Sequence, residues 1–146
     1  MKRKKILYAS LAVLGCIIIL VAAGLLILSD EWNKGKDLVK KIRAMSIPEA
    51  EDLCGKEDGI NQYMCYVALS DKTNNTKYCL RISIDTIQGS CIKSVAEKTK
   101  NSSLCSEIKD LDKSYHCFAL AENDINKCDK IENNGYRRVC RADFEN

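Results

Sequence analysis

One histidine, one proline, one tryptophan and two phenylalanines in 146 residues leave this sequence short of several kinds of machinery. With His116 as the single imidazole, no Ser/His/Asp set can be assembled, and the residue itself is expected as a partly exposed helix position beside Cys117 rather than a ligand or thiol activator. No Cys-x-x-Cys pair occurs, so neither a closely spaced metal site nor a dithiol redox motif is present. No glycine-rich phosphate loop appears, and the carboxylates are scattered as solvated helix faces and caps. These absences imply no cofactor, no metal and no catalytic residues, and they argue against most enzyme classes.

A strongly basic field is missing as well. The net charge is +3, but Lys2, Arg3, Lys4 and Lys5 carry four positives, so the rest of the chain is close to neutral. Nucleic acid binding needs a clustered Lys/Arg face, and none remains.

What the chain does have is cysteine and one long apolar run. Between Ile6 and Leu28 no charged residue occurs, a length sufficient to cross a hydrocarbon core of about 30 Å. The run predicts a transmembrane helix over residues 6–28, too long and continuous for a cleaved signal peptide. Val13-Leu14-Gly15-Cys16 resembles a lipoprotein box, but a further apolar stretch follows Cys16 where a processed lipoprotein turns polar. Cys16 therefore reads as a small intramembrane hydrophobe, with lipidation the less favoured alternative.

The basic cluster at 1–5 predicts a cytoplasmic tail and an extracytoplasmic carboxyl-terminal domain. Lys34, Lys36, Lys40, Lys41 and Arg43 weaken that signal, and cysteine usage, which suits an oxidising compartment, restores it. The expected location is the cell membrane, single-pass. Trp32 is placed as an interfacial anchor, and residues 29–45, with Leu38, Val39, Ile42 and Met45 at helical spacing, predict a juxtamembrane stalk helix.

Eight of the nine cysteines fall in four pairs, Cys54/Cys65, Cys79/Cys91, Cys105/Cys117 and Cys128/Cys140, with first members recurring every 25, 26 and 23 residues. Such periodicity marks a repeat array, with units of about 46–73, 74–99, 100–122 and 123–146. Ser46, Pro48 and Glu49 signal a helix start, and comparable polar starts precede the later first cysteines: Asn74 and Asn75 before Cys79, Asn101 and Ser102 before Cys105, and Asp124 before Cys128. Ile82, Ile108 and Ile131 follow those cysteines at i+3, predicting a first helix of two to three turns in each unit. Glu57-Asp58-Gly59, Asp85-Thr86, Asp110-Leu111-Asp112 and Asn133-Asn134-Gly135 then predict turns. A second helix begins its apolar face at the second cysteine and continues it at Leu69, Val95, Ala121 and Phe144. Arg141 and Asp143 suit a terminal repeat with no neighbour on its outer face.

The expected fold is all-α: a single transmembrane helix, then four disulfide-stapled helical hairpins in a short α-solenoid-like array over residues 46–146. Repeat symmetry leaves two natural pairings. Bridges within units use every cysteine and are preferred; joining Cys65 to Cys79, Cys91 to Cys105 and Cys117 to Cys128 strands Cys54 and Cys140.

Cys105-Ser-Glu-Ile108 followed by Cys117-Phe-Ala-Leu-Ala121 is the best expression of the unit, which resembles the twin-cysteine helical-hairpin repeats of exported or membrane-anchored archaeal proteins. That resemblance implies exported hairpins and no assigned activity or catalytic residues. Twin-cysteine hairpins of the mitochondrial intermembrane space are a physical analogy only, since there two bridges close one hairpin.

The function expected is a non-enzymatic, membrane-anchored module that binds or scaffolds a protein or glycan outside the cell. A tethered thiol-disulfide enzyme or redox chaperone is the first alternative, and a cytosolic metal-binding protein of reversed topology the second. Asn74 and Asn101 head glycosylation sequons, with helix capping the competing explanation.

Overall fold

Ser46 opens α2 as the sequence signals: its backbone N–H donates to the Glu49 carboxylate at 3.0 Å, and Pro48 lies in the first turn, where a missing N–H costs nothing. The Ser46 hydroxyl, donating to the same carboxylate at 2.7 Å, and then this N–H hold the Glu49 carboxyl below its usual range. The computed structural model of the protein describes residues 33–145. Residues 33–44 (α1) are helical, and Val39–Asn146 cluster as one unit. Within it run α2 (Ile47–Lys56), α3 (Gly59–Thr73), α4 (Asp85–Thr99), α5 (Leu111–Glu122) and α6 (Asn134–Ala142). Three 3-10 segments precede the last three helices, at Cys79–Arg81, Ser102–Glu107 and Ile125–Lys130. Among the described residues no helix is long and apolar enough to cross a membrane. The expected span at 6–28, the basic tail at 1–5, Cys16 and Trp32 lie outside them.

Four disulfides join Cys54 to Cys65, Cys79 to Cys91, Cys105 to Cys117 and Cys128 to Cys140. Each bridges the two arms of one unit. The architecture is all-helical and repeat-like, with one correction. Only the first unit is a hairpin of two α-helices; in the other three the first arm is a 3-10 segment of three or six residues rather than two to three α-helical turns.

The isoleucine spacing fits both geometries. Side chains at i and i+3 eclipse in a 3-10 helix, so Ile82, Ile108 and Ile131 come to lie over their cysteines, and all three are buried. Each also ends its segment, its N–H returning to the cysteine carbonyl at 3.0 to 3.2 Å. The turn predicted at Glu57-Asp58-Gly59 links α2 to α3, whereas the other three are corrected likewise. Asp85, Leu111, Asp112, Asn134 and Gly135 belong to the opening turns of α4, α5 and α6, while Asp110 and Asn133 cap α5 and α6. Asx residues favour caps and turns for one reason, a short side chain that accepts from nearby backbone N–H groups, and here the cap wins.

Helices α3, α4 and α5 end alike. Asn74, Lys100 and Asn123 adopt left-handed conformations at φ 52°, 55° and 54°. Asn75, Asn101 and Asp124 then return their N–H groups to Ser70, Ala96 and Ala119 in the last helical turn. Their side chains next accept from the backbone N–H of Lys77, Ser103 and Asn126. Of the two residues expected to start the next segment, Asn74 is instead the carboxyl-terminal cap of α3, while Asn75 accepts from the Lys77 N–H ahead of Cys79.

Gly59 begins α3 at φ +50°, where an added Cβ meets no atom within 4 Å. Gly59→Ala is expected to cost about 1 kcal/mol from backbone strain alone, read as a lower urea midpoint at unchanged slope.

Successive second helices pack side by side, α3 on α4, α4 on α5 and α5 on α6, and each 3-10 segment touches the helix before it and the helix after it. All eight bridged cysteines are at most 4% exposed, and Leu69, Val95 and Ala121 at i+4 extend that buried row.

Lys72 and Lys98 fall at the same register after Cys65 and Cys91, and both reach backwards. Lys98 donates to the Asp71 carbonyl near the end of α3 at 2.8 Å. Lys72 donates to the carbonyls of Ile42, at 3.1 Å, Arg43 and Met45 at the end of α1. Ammonium groups suit helix carboxyl termini, where carbonyls lack partners. Ile42 is fully buried. The end of α1 therefore meets α3 as the end of α3 meets α4.

Candidate binding surface

A polar side chain sits one helical turn before every second cysteine and satisfies a carbonyl of the preceding arm. Gln62 Nε2 donates to Glu57, Gln88 Nε2 to Ile82, Ser114 Oγ to Cys105 and Arg137 Nε to Ile131, all at 2.8 to 2.9 Å. This device holds the start of each second helix against its own unit. Because Gln, Gln, Ser and Arg fill the same place, no residue-type repeat announces it.

Those helix starts form one edge of the array. Asp85, Gln88 and Gly89 of α4 face Ile108, Lys109, Asp110 and Lys113 across a groove of about 280 Å³. Asp110, Asp112 and Lys113 line a second, of about 380 Å³, against Asn133, Gly135, Tyr136 and Val139. The two share Asp110 and Lys113, so they run on across three units. Their charges are committed internally. Lys109 pairs with Asp85 at 3.0 Å, Asp110 accepts from the Lys113 N–H, and Asp112 accepts from the backbone N–H groups of Glu132 and Asn133. Each of the first three units exposes one aliphatic side chain where its second helix begins, Ile60 (56%), Ile84 (43%) and Leu111 (71%), and the last two adjoin residues that line the grooves.

His116 departs from expectation. It is 1% exposed, and its ring joins α5 to α6: Nε2 lies 2.8 Å from Asp143 Oδ2 and Nδ1 lies 3.2 Å from the Tyr136 hydroxyl. A carboxylate only accepts, so Nε2 carries the proton and the neutral ring accepts from Tyr136 at Nδ1. The two rings meet edge to face with centroids 5.3 Å apart. Burial is the main cause holding the His116 pKa below its ordinary value; Lys93 adds to it, while Asp143 and Glu97 oppose. Burial likewise raises Tyr136, with Asp110, Asp143 and Asp112 contributing. Asp143, expected to face outwards as part of a terminal cap, instead reaches back to the third unit, and Arg141 pairs with Asp129. The sequence carried a faint sign of this: Tyr136 and Asp143 share one face of α6, which is turned towards α5.

A third recess, of about 180 Å³, lies between α5 and the last 3-10 segment, formed by Tyr115, Phe118, Lys127 and Lys130. Asn74 and Asn101 are both exposed; the Asn101 side chain accepts from the Ser103 hydroxyl at 2.6 Å, within the cap it forms. Among the described residues, no group of three His, Cys, Asp or Glu is placed to hold a metal ion. Compared with known protein families, curated proteins and solved structures, the chain matches none.

Proposed function

We propose that the protein is a single-pass membrane protein whose repeat domain is displayed outside the cell as a non-enzymatic binding or scaffold module. The observation that carries this reading is the edge just described, where the starts of α4, α5 and α6 build two continuous grooves whose charged groups are held by internal contacts, with Ile84 and Leu111 exposed at the starts of α4 and α5. Repeat arrays use such extended surfaces to hold a partner. Each disulfide holds the two arms of one unit together, and the near-complete burial of every bridged cysteine supports a structural role for them. Thiol exchange begins with a thiolate reaching a disulfide sulfur, which burial obstructs. Export is supported by the same bridges, and anchoring by the apolar run at 6–28. Asn74 and Asn101 are the positions where the exported domain would carry glycans.

Intact mass after alkylation, combined with protease treatment of whole cells, tests this reading. The expected result is that the eight bridged cysteines take up alkyl groups only after reduction in denaturant, and that external protease removes the repeat domain. A bridge that opens in mild reductant while the domain stays folded would establish the redox alternative. Free cysteines without reduction would establish the cytosolic one.

A further inference from the structure

The recess between α5 and the Ile125–Lys130 segment has a composition unlike the two grooves. Tyr115 and Phe118 lie one turn apart on α5, both half-buried, and form its floor. Lys127 Nζ lies 5.7 Å from the Phe118 ring centroid and Lys130 Nζ 5.6 Å from that of Tyr115, so two ammonium groups stand over an aromatic floor. Lys127 is paired with Glu122 at 2.7 Å, whereas Lys130 makes no salt bridge among the described residues.

The arrangement recurs at two-unit intervals. Around Cys65 the corresponding positions are Tyr63 and Tyr66, and Arg81, which matches Lys130 in register, stands 5.7 Å over Tyr66. Around Cys91 the same positions hold Gly89 and Ile92, and around Cys140 Arg138 and Arg141, so neither of those units has the aromatic pair. The first station is closed: Tyr66 is 6% exposed and the Tyr63 hydroxyl is hydrogen-bonded to Ser83 at 2.8 Å. The second is open, with a volume suited to one six-membered ring. Packing alone accounts for the closed station. It does not account for an open one, in which two rings stay partly in water and a cation without an ion-pair partner stands at the rim.

We propose that Tyr115, Phe118, Lys127 and Lys130 bind one acidic sugar residue of a glycan, a proposal that rests on the display of this domain outside the cell. A pyranose offers an apolar C–H face that lies on an aromatic ring, while its hydroxyl rim remains solvated. Its carboxylate or sulfate then meets the Lys130 ammonium in a charge-assisted hydrogen bond, while Lys127 stays with Glu122 beside the Phe118 ring. An acidic peptide side chain would satisfy Lys130 and leave the ring floor uncovered. A neutral sugar would do the reverse.

The test uses the full chain in nanodiscs of zwitterionic lipid, titrated calorimetrically with three probes: a galacturonate hexamer, a galactose hexamer and hexaglutamate. The acidic sugar is expected to bind about tenfold more tightly than either of the others, the ratio that one charge-assisted contact supplies. Lys130→Ala should weaken it by about that factor, and Phe118→Leu, which retains packing volume, should weaken it without lowering the melting temperature. Equal binding of hexaglutamate, equal binding of the neutral hexamer, indifference to Lys130→Ala, or no binding of the galacturonate hexamer would each overturn the proposal. Because external display is read separately by protease and alkylation, failure here leaves that reading intact.

Discussion

Replacing both Cys105 and Cys117 by alanine is expected to lower unfolding stability by about 3 kcal/mol, the loop-entropy contribution of a bridge closing a dozen or so residues. The third unit is the informative one because neighbours pack on both sides of it. There, the Ser114 hydroxyl still donates to the Cys105 carbonyl at 2.9 Å, and α4 and α6 still flank α5. The unit should therefore remain folded but less stable, and urea unfolding should give a lower midpoint with little change in slope. The same exchange at Cys128 and Cys140 should act differently. Among the described residues the fourth unit has a neighbour on one side only, so the lost bridge releases α6 locally, and hydrogen exchange quickens there before the rest of the array responds. A loss below about 1 kcal/mol in the third unit would mean that packing alone holds the arms together. Removing all four bridges should leave no folded state, since their combined contribution rivals the stability of a typical domain.

The second large effect is on pH. His116 has its folded pKa depressed, chiefly by burial, so the unfolded chain binds the proton first as pH falls. Stability is therefore complete above the unfolded value near 6.5 and declines as pH drops below it towards the folded pKa. Glu49, Glu51 and Glu122, all depressed by hydrogen bonds, act in a separate window below their ordinary carboxylate range. Between pH 7.5 and 5 the histidine is thus the expected source of lost melting temperature. His116→Phe should abolish most of that difference. It should also cost about 2 kcal/mol at pH 7.5, because the ring's two hydrogen bonds disappear from a packed interface between α5 and α6. Asp143 is half-exposed and can hydrate once its partner is gone. A melting temperature that still falls equally between these pH values in the variant would assign the effect elsewhere. Tyr136→Phe separates the two contacts, removing the bond to Nδ1 while leaving Asp143 in place.

Much of the domain was readable before its structure because cysteine spacing fixes phase. Once Cys54, Cys79, Cys105 and Cys128 align, the isoleucines at i+3 of the last three and the apolar residues four after the second cysteines fall into register; Ile82, Ile108, Ile131, Leu69, Val95 and Ala121 are buried, and Phe144 partly so. What spacing could not distinguish was an α-helical from a 3-10 first arm, since a cysteine and an isoleucine three apart share a face in either. Asx residues misled in the same physical way: Asp110 and Asn133 satisfy backbone N–H groups in a turn or in a cap, and only the neighbouring helix decides. The contacts that join units were the least legible. Asp112 accepting from Glu132 and Asn133, Lys98 reaching Asp71 and His116 reaching Asp143 each link residues of different repeats. They follow from how far one unit is rotated on the next, and no periodicity within a unit encodes that rotation.

The placement of the bridges also has a mechanical meaning. Each closes its own unit, so the residues between paired cysteines cannot be drawn out by a force applied along the chain, however strong, while the disulfides last. Between Cys54 and Cys140 the lengths free to extend are 65–79, 91–105 and 117–128, and each contains the same left-handed cap and side-chain-capped turn. Pulled from a surface, such a domain would yield in a few short, nearly equal steps and then stop, a tether with a fixed maximum reach.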